Sequence, residues 1–282
     1  MNYINTALNF TGSKYNLLEQ ILPKMDYSKK YFVDLFAGSG VVGFNVVDKY
    51  EKILENDIIS DLIDIHRQLV NNPYGFIKSV KELAVDKQDQ VGFNELRTSY
   101  NQDKSSDKLY ALMLCSTNNM MRFNKKFEYN QTFGKRSFSN STQKKLDLFI
   151  EHIKTHRKDI YFSSKSFSKI KVYKPSMVYI DPPYGYVMKE DGEMGNKQIS
   201  EAGYNAFYEK EDDIKLLEYI IDLDKNKHSF MVSGLLEHDG KKSWIMNKLI
   251  LQGFKHTILN FNYNGVSRKC KKNSTEIIIT NY

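Results

Sequence analysis

The stretch Val33-Asp34-Leu35-Phe36-Ala37-Gly38-Ser39-Gly40 decides the fold, because an apolar strand runs here directly into a glycine turn. The pattern then predicts a helix over residues 41–49 and a second strand over residues 52–55, with Asp57 just beyond. Strand, glycine-rich turn, helix, strand and terminal acid are the parts of a nucleotide-binding half-fold. Strands and helices alternate again over residues 160–280, which predicts an α/β fold with a mostly parallel, Rossmann-like sheet.

The bulk composition is that of a globular protein. The chain has 282 residues, 41% of them apolar, which is enough to build a core and argues against global disorder. Its two cysteines form neither a disulfide framework nor a metal-ligand spacing. No apolar run reaches membrane-spanning length, and the amino terminus lacks the apolar stretch of a signal peptide. We therefore expect a cytoplasmic protein with no metal and no membrane contact.

The positive charge is concentrated in one part of the chain. The formal net charge is +7, and residues 121–175 alone hold 14 Lys or Arg against four acids, which gives about +10. A localised basic patch favours a polyanionic partner such as nucleic acid. Residues 71–158 are also helix-leaning and rich in Asn, without parallel-strand signals. We predict that they form an inserted, mainly helical domain between the two parts of a larger domain, residues 1–70 and 159–282.

The glycine turn has the spacing Phe-x-Gly-x-Gly, at Phe36, Gly38 and Gly40. This is shorter than the glycine fingerprint that holds a pyrophosphate, so it suits a cofactor without phosphates, such as S-adenosylmethionine, better than NAD. Asp57 is placed to accept hydrogen bonds from ribose hydroxyls. The alternative interpretation is a tight strand–helix turn followed by a surface acid.

A second motif, Asp181-Pro182-Pro183-Tyr184, follows the apolar run at residues 177–180. Its groups can hold a planar exocyclic amine: the Asp181 carboxylate and the Pro182 carbonyl accept both hydrogens, so the nitrogen lone pair can point at an activated methyl group. The base must leave the duplex for this, and Tyr184 offers a ring on which it can stack. The alternative is a rigid turn with a half-buried tyrosine.

Two further stretches complete an ordered set. The first, Asn9-Phe10-Thr11-Gly12-Ser13-Lys14-Tyr15, precedes the glycine turn; the second, Met121-Arg122-Phe123-Asn124, is followed by Tyr129-Asn130 and Phe133-Gly134-Lys135. With the glycine turn and the Asp181 tetrapeptide, this set resembles the Dam-like (alpha group) family of adenine-N6 DNA methyltransferases, and the last stretches resemble its DNA-contacting hairpin. The resemblance spans most of the chain, and it implies that residues 71–158 are a target-recognition domain inserted between the two parts of a catalytic domain, residues 1–70 and 159–282.

The resemblance implies a site and its residues. Phe10 would pack on the cofactor, Lys14 would contact its methionine end, and Asp57 would hold the ribose. The family usually shows an acid followed by Phe after the insertion, whereas this chain has Ser166-Phe167, so only the stacking of Phe167 on the cofactor adenine carries over. The complete expected cofactor site is Phe10, Lys14, Asp34, Phe36, Gly38, Gly40, Asp57, Phe167 and Asp181, and the expected catalytic residues are Asp181, Pro182 and Tyr184.

The expected DNA-binding residues are Asn118, Arg122, Asn124, Lys125, Lys126, Lys135 and Arg136. We expect Arg122 to read a base edge, since an arginine fork can grip guanine with two hydrogen bonds. The lysines and Arg136 are better suited to phosphates, which gives affinity without sequence preference. Asn118 can read adenine or merely cap a turn, and both interpretations stay open.

The function that the resemblance implies is transfer of a methyl group from S-adenosylmethionine to adenine N6 in double-stranded DNA. It further suggests a bacterial or phage restriction–modification system, a monomer, and a cognate restriction endonuclease as a genetic partner. Two alternatives stay open: methylation of RNA adenine or of a protein glutamine, and a catalytically silent DNA-binding module. Cytosine carbon-5 methylation needs a cysteine nucleophile, and neither Cys115 nor Cys270 lies in a suitable turn.

Overall fold

The computed structural model describes residues 3–6, 8, 12–124, 126–199, 208–260 and 274–282. The chain divides into two compact units, one made of Met1–Tyr15 and Ala37–Lys165, the other of Asn16–Phe36 and Ser166–Tyr282. No helix within the described ranges is long and apolar enough to cross a membrane.

The first unit combines a parallel strand pair with a group of helices. Its strands are β2 (Lys52–Asn56) and β3 (Ile160–Ser163), and its helices are α2 (Val41–Phe44), α3 (Ser60–Asn71), α4 (Pro73–Leu83), α5 (Gln90–Gln102), α6 (Ser106–Cys115) and α7 (Asn140–Ile153). Strands β2 and β3 pair in parallel from Ile53–Ile160 to Asn56–Ser163. The predicted helical character of residues 71–158 is confirmed, because α4 to α7 all lie there.

The second unit is built on a five-stranded path. Its strands are β1 (Tyr31–Asp34), β4 (Ser176–Ile180), β5 (Tyr186–Met188), β6 (Met194–Gln198), β7 (Ser229–His238), β8 (Lys241–Lys242), β9 (Lys255–Leu259) and β10 (Ser274–Thr280), and its helices are α1 (Leu18–Ile21), α8 (Lys210–Lys225) and α9 (Trp244–Leu251). The strand order is β1-β4-β7-β10-β9. The first three strands are parallel, and β10 runs antiparallel between β7 and β9. Strand β4 is buried along its whole length, as expected for a central parallel strand.

Two elements differ from the sequence prediction. The helix expected over residues 41–49 ends at Phe44, because the Asn45 side chain caps the Val41 carbonyl at 2.7 Å and pairs with the backbone of Ile4. The long, glycine-rich segment 185–203 predicts a loop, but it contains the antiparallel ribbon of β5 and β6, whose turn includes Gly192 at φ +81°. Neither feature has a local sequence period long enough to reveal it.

Candidate active site

The glycine turn of the first unit has the backbone that only glycine adopts easily. Gly38 and Gly40 have φ values of +49° and +69°, and the Gly40 N–H donates to the Ala37 carbonyl at 2.7 Å. A Cβ atom on Gly40 would lie 2.4 Å from the ring of Phe44. The second glycine therefore serves both the left-handed backbone and the close packing of α2 against the turn.

Asp57 fastens this turn through its carboxylate. Its Oδ2 accepts the N–H of Gly38 at 3.0 Å, and its Oδ1 accepts the N–H of Ile59 at 3.0 Å. Burial of the carboxylate raises the pKa of Asp57, and the N–H groups of Ile59, Gly38 and Ile58 oppose that rise. A carboxylate oxygen accepts more than one hydrogen bond, so these contacts are compatible with the expected contact to a ribose.

His66 contacts this turn from helix α3, and the sequence did not reveal that contact. It lies buried on α3, and its Nε2 is 2.9 Å from the carbonyl oxygen of Gly38. A carbonyl only accepts, so Nε2 carries the hydrogen. Burial lowers the pKa of His66 from 6.5 to about 4, against the opposing effect of the Gly38 hydrogen bond, so the ring is neutral near pH 7. The signal available was a single histidine on the apolar face of a helix, which is weak.

Lys14 is buried at the start of a 3-10 turn, and its ammonium is 3.5 Å from the carbonyl oxygen of Gly12. A buried lysine needs an acceptor or an anion close by. The predicted contact of Lys14 with the methionine end of a cofactor stays a prediction. Phe10 lies outside the described residues.

In the second unit, the parallel strands β1 and β4 bring the start of one motif and the whole of another to their neighbouring carboxyl ends. Asp34 is buried and stands opposite Tyr179 in the parallel register, and the Leu35 N–H donates to the Tyr179 carbonyl at 3.0 Å. Phe36 is the second residue after β1, and Asp181 is the first after β4. In parallel α/β sheets, ligands bind at the carboxyl ends of the strands.

Phe36 also contacts Phe167. The two ring centroids are 5.4 Å apart, and the Phe167 ring meets Tyr219 edge-on at 6.2 Å. Phe167 is buried, whereas Phe36 is half-buried. The neighbouring Ser166 side chain contacts Ser168 at 3.1 Å. The two phenylalanines thus form an apolar wall next to the strand ends.

The Asp181 carboxylate is held by a chain of hydroxyls. Its Oδ1 accepts a hydrogen bond from the Ser233 hydroxyl at 3.1 Å, and the Ser233 hydroxyl lies 2.7 Å from that of Tyr179. Tyr179 and Ser233 are both fully buried, on the neighbouring parallel strands β4 and β7. This arrangement fixes the orientation of the half-buried carboxylate.

The segment after the tetrapeptide is fixed by a buried acid, Asp213 of α8. Its Oδ2 accepts the N–H of Tyr186 at 2.7 Å, and its Oδ1 accepts the hydroxyl of Tyr208 at 2.9 Å. A Cβ on Gly185 would lie 2.5 Å from both carboxylate oxygens, so this approach requires glycine. Burial raises the pKa of Asp213 to about 6. Of the tetrapeptide itself, Pro182 is buried and Tyr184 is half-buried.

Residues 122–130, of which the structure describes all but residue 125, form a hairpin that carries the exposed Arg122 and Lys126. Phe123 and Tyr129 pair across it, and Tyr129 is buried with its hydroxyl 2.6 Å from that of Ser116. The Asn101 side chain of α5 pairs with both the N–H and the carbonyl of Tyr129. The hairpin is therefore anchored on the helices behind it.

Arg122 is exposed, and its guanidinium is oriented across the hairpin by Asn130. Its Nε donates to the Asn130 side chain at 2.9 Å and its Nη2 to the Asn130 carbonyl at 3.1 Å. An arginine has five N–H donors, so three remain for other contacts. The Asn124 side chain bonds within the hairpin turn, to the N–H groups of Lys126 and Glu128 and to the Glu128 carboxylate.

The other predicted DNA contacts are exposed in the structure. These are Asn118, Lys126, Lys135 and Arg136. Asn118 and Lys135 have left-handed backbones, with φ values of 58° and 53°. Lys125 and Cys270 lie outside the described residues.

Cys115 is buried, which raises the pKa of its thiol to about 11 and leaves it unsuited to nucleophilic attack. Among the described residues, no group of three or more His, Cys, Asp or Glu side chains could hold a metal ion.

Comparison with known proteins decides the family. The D12 class N6 adenine-specific DNA methyltransferase family matches residues 10–257. The chain belongs to this family. Membership confirms the predicted Rossmann-like methyltransferase class and the Dam-like resemblance, and it accounts for the two motifs that β1 and β4 present.

Relatives of this chain include proteins named as type II modification enzymes. It is 32% identical to the type II methyltransferase M.FokI of Planomicrobium okeanokoites over 100% of this chain and 43% of the relative. It is 30% identical to the modification methylase StsI of Streptococcus sanguinis, over 99% and 43%. The DNA adenine methylase of Vibrio cholerae is 28% identical over 63% of this chain and 64% of that enzyme. The chain thus spans less than half the length of the first two relatives.

Proposed function

We propose that this chain transfers a methyl group from S-adenosylmethionine to the N6 amine of an adenine in double-stranded DNA, as the modification enzyme of a restriction–modification system. The observation that carries the proposal is the position of Asp181. Asp181 follows β4 at the carboxyl end of the strand, next to the carboxyl end of β1, after which Phe36 lies. The Ser233 hydroxyl orients its carboxylate.

The residues present fit S-adenosylmethionine, which when bound supplies a methyl group activated on a sulfonium. The turn at Gly38 and Gly40 is compact, and the Asp57 carboxylate already bonds its first glycine N–H, which suits a cofactor without phosphates. Asp57 keeps the capacity to accept from ribose hydroxyls. Phe36 and Phe167 offer apolar rings for an adenine.

The chemistry at the amine belongs to Asp181 and Pro182. The N6 nitrogen is a poor nucleophile because its lone pair is delocalised into the ring. When the Asp181 carboxylate and the Pro182 carbonyl accept its two hydrogens, the nitrogen becomes more tetrahedral and its lone pair localises. Tyr184 stacks on the extruded base. No covalent intermediate with the enzyme is required.

The DNA partner is supported by the charge and the architecture of the insertion. We assign residues 71–158 to target recognition and residues 1–70 and 159–282 to catalysis. Arg122 would read a base edge, and Asn118 a base or the backbone. Lys125, Lys126, Lys135 and Arg136 would neutralise phosphates.

The setting follows from the substrate and from the names of the relatives. Two of them are called a type II methyltransferase and a modification methylase. We propose a bacterial or phage origin, action in the cytoplasm where the DNA is, and a cognate restriction endonuclease as a genetic partner. A monomer suffices for this chemistry.

The test is a methylation assay with radiolabelled S-adenosylmethionine on unmethylated plasmid DNA, RNA and protein. We expect label only on DNA, and single-molecule sequencing should then place it on adenine N6 within a defined site. Asp181→Ala should abolish transfer while DNA binding persists, whereas Asp191→Ala, in the exposed β5–β6 turn, should retain full activity. Label on RNA or protein alone, or full turnover by Asp181→Ala, contradicts the proposal.

A further inference from the structure

Phe127 stands in a backbone conformation that its side chain disfavours. It lies in the turn of the hairpin at residues 122–130 with φ +59°, in the left-handed region. Turns that require this conformation take Gly, Asn or Asp, because a Cβ clashes with the following carbonyl. A bulky aromatic at positive φ is an outlier that surrounding contacts must enforce.

Those contacts are present and hold the residue in place. The Asn124 side chain accepts the N–H groups of Lys126 and Glu128, on either side of Phe127. The Lys104 ammonium donates to the Phe127 carbonyl at 2.8 Å and lies 5.9 Å from the centre of its ring. The ring is nevertheless 45% exposed. The hairpin thus presents a partly exposed aromatic side chain on a backbone that hydrogen bonds hold in place.

The charge around this ring suits a polyanion. Lys104, Lys126 and Arg122 are all exposed on or beside the hairpin, and the acid Glu128 is bonded to Asn124. An aromatic ring carried by cationic neighbours is the arrangement that binds nucleic acid by stacking on bases and pairing with phosphates. An ordinary surface turn would gain nothing from a strained phenylalanine where glycine fits.

We propose that Phe127 is a wedge: its ring stacks on a base of the duplex when the hairpin binds DNA, and so lowers the cost of extruding the target adenine. The inference rests on the proposed function and adds a residue to it. Apolar side chains that enter a base step unstack it in other DNA-binding proteins, and extrusion of a base requires unstacking.

The experiment uses the full chain and a short duplex that contains its mapped methylation site. We expect Phe127→Ala to weaken binding about tenfold, near the low end of what the loss of one base stack costs, and Phe127→Trp to bind as the wild type does. A mismatch opposite the target adenine weakens stacking beforehand, so it should restore most of the binding of Phe127→Ala. It should not restore that of Lys126→Ala, which lacks a phosphate contact.

Two controls separate the wedge from a structural role. Tyr161→Ala removes a ring of the same exposure, 46%, that is also covered by a lysine, Lys52, but lies on β3; its binding should not change. Phe127→Gly relieves the backbone, so it should melt no lower than the wild type and still bind about tenfold more weakly. Wild-type binding by Phe127→Ala, no rescue by the mismatch, or a loss of melting temperature in Phe127→Gly overturns the inference. Wild-type protein that methylates no DNA overturns the proposed function instead.

Discussion

At the scale of single residues, Ser233 orients the Asp181 carboxylate, and removing its hydroxyl tests whether that orientation matters for methyl transfer. Its hydroxyl donates to Asp181 at 3.1 Å. A hydrogen bond to a charged group contributes about 1.5–3 kcal/mol, so we expect Ser233→Ala to lower the single-turnover rate of methyl transfer about tenfold to a hundredfold. The DNA dissociation constant should stay within about twofold, since Ser233 has no part in the proposed DNA surface. Rapid-quench kinetics with labelled S-adenosylmethionine measures the rate.

The same strand supplies the control. Ser229 of β7 is also buried and donates to a carboxylate, that of Asp26, at 2.6 Å, but it is the first residue of the strand, four residues before Ser233. Ser229→Ala should lower the melting temperature and leave the transfer rate unchanged. Tyr179→Phe, which keeps the Ser233–Asp181 bond, should slow transfer less than Ser233→Ala does. Equal rates for all three variants would show that Ser233 does not orient Asp181.

Gly40 gives a second prediction at this scale. Gly40→Ala places a Cβ 2.4 Å from the Phe44 ring in a left-handed backbone, so the turn must move. We expect it to weaken S-adenosylmethionine binding more than about tenfold, measured by calorimetry, because the turn no longer fits its ligand. Gly240 also has positive φ, at 76°, but no atom within 4 Å of the added Cβ. Gly240→Ala therefore carries the backbone strain alone and should bind the cofactor normally.

At the scale of elements, contiguous motifs were predictable and contacts between distant segments were not. The glycine turn after β1 and the tetrapeptide after β4 each lie in one unbroken stretch of sequence, and the structure puts both strands side by side. Ser233 meets Asp181 across 52 residues, and His66 meets Gly38 across 28, so no local period reveals either contact. The predicted length of α2 was wrong, because the side chain of Asn45 ends the helix and pairs with the backbone of Ile4, 41 residues away.

At this scale, we predict that two residues of the hairpin at residues 122–130 contact DNA in different ways. Arg122→Ala should weaken binding to the cognate site about tenfold to a hundredfold and leave binding to unrelated duplex nearly unchanged, since a bidentate base contact carries the discrimination. Lys126→Ala should weaken both alike and lower the slope of log K against log salt by about one. Fluorescence anisotropy over a salt series measures both quantities.

A surface lysine outside the hairpin is the matched control. Lys49 is exposed and pairs with Asp48 at 2.8 Å, so Lys49→Ala should alter neither the affinity nor the salt slope. Equal losses on cognate and unrelated duplexes for Arg122→Ala would make it a phosphate contact. In that case the Asn130 contacts of its guanidinium would serve the hairpin fold and not recognition.

At the scale of the whole molecule, two buried titratable groups oppose each other in their effect on stability. Burial lowers the pKa of His66 from 6.5 to about 4, so the folded state binds fewer protons between these values and the free energy of unfolding rises with pH there. Burial raises the pKa of Asp213 from 3.8 to about 6, so the folded state binds more protons and the free energy of unfolding falls as pH rises through that window. Each effect amounts to about 3 kcal/mol over its range.

The two pH windows overlap, so the effects of His66 and Asp213 on the free energy of unfolding largely cancel between pH 4 and 6. The effect of each residue becomes visible when the other is replaced. His66→Gln keeps a donor for Gly38 but does not titrate, so relative to the wild type its free energy of unfolding should fall by about 3 kcal/mol as pH rises from 4 to 6.5. Asp213→Asn should change in the opposite direction, gaining about 3 kcal/mol relative to the wild type over the same rise. Urea unfolding at four pH values across this range measures both differences. Parallel curves of unfolding free energy against pH for the wild type and both variants would mean that the fold holds neither group in its neutral form. The turn at Gly38 and the segment after Tyr184 would then not depend on buried, uncharged partners.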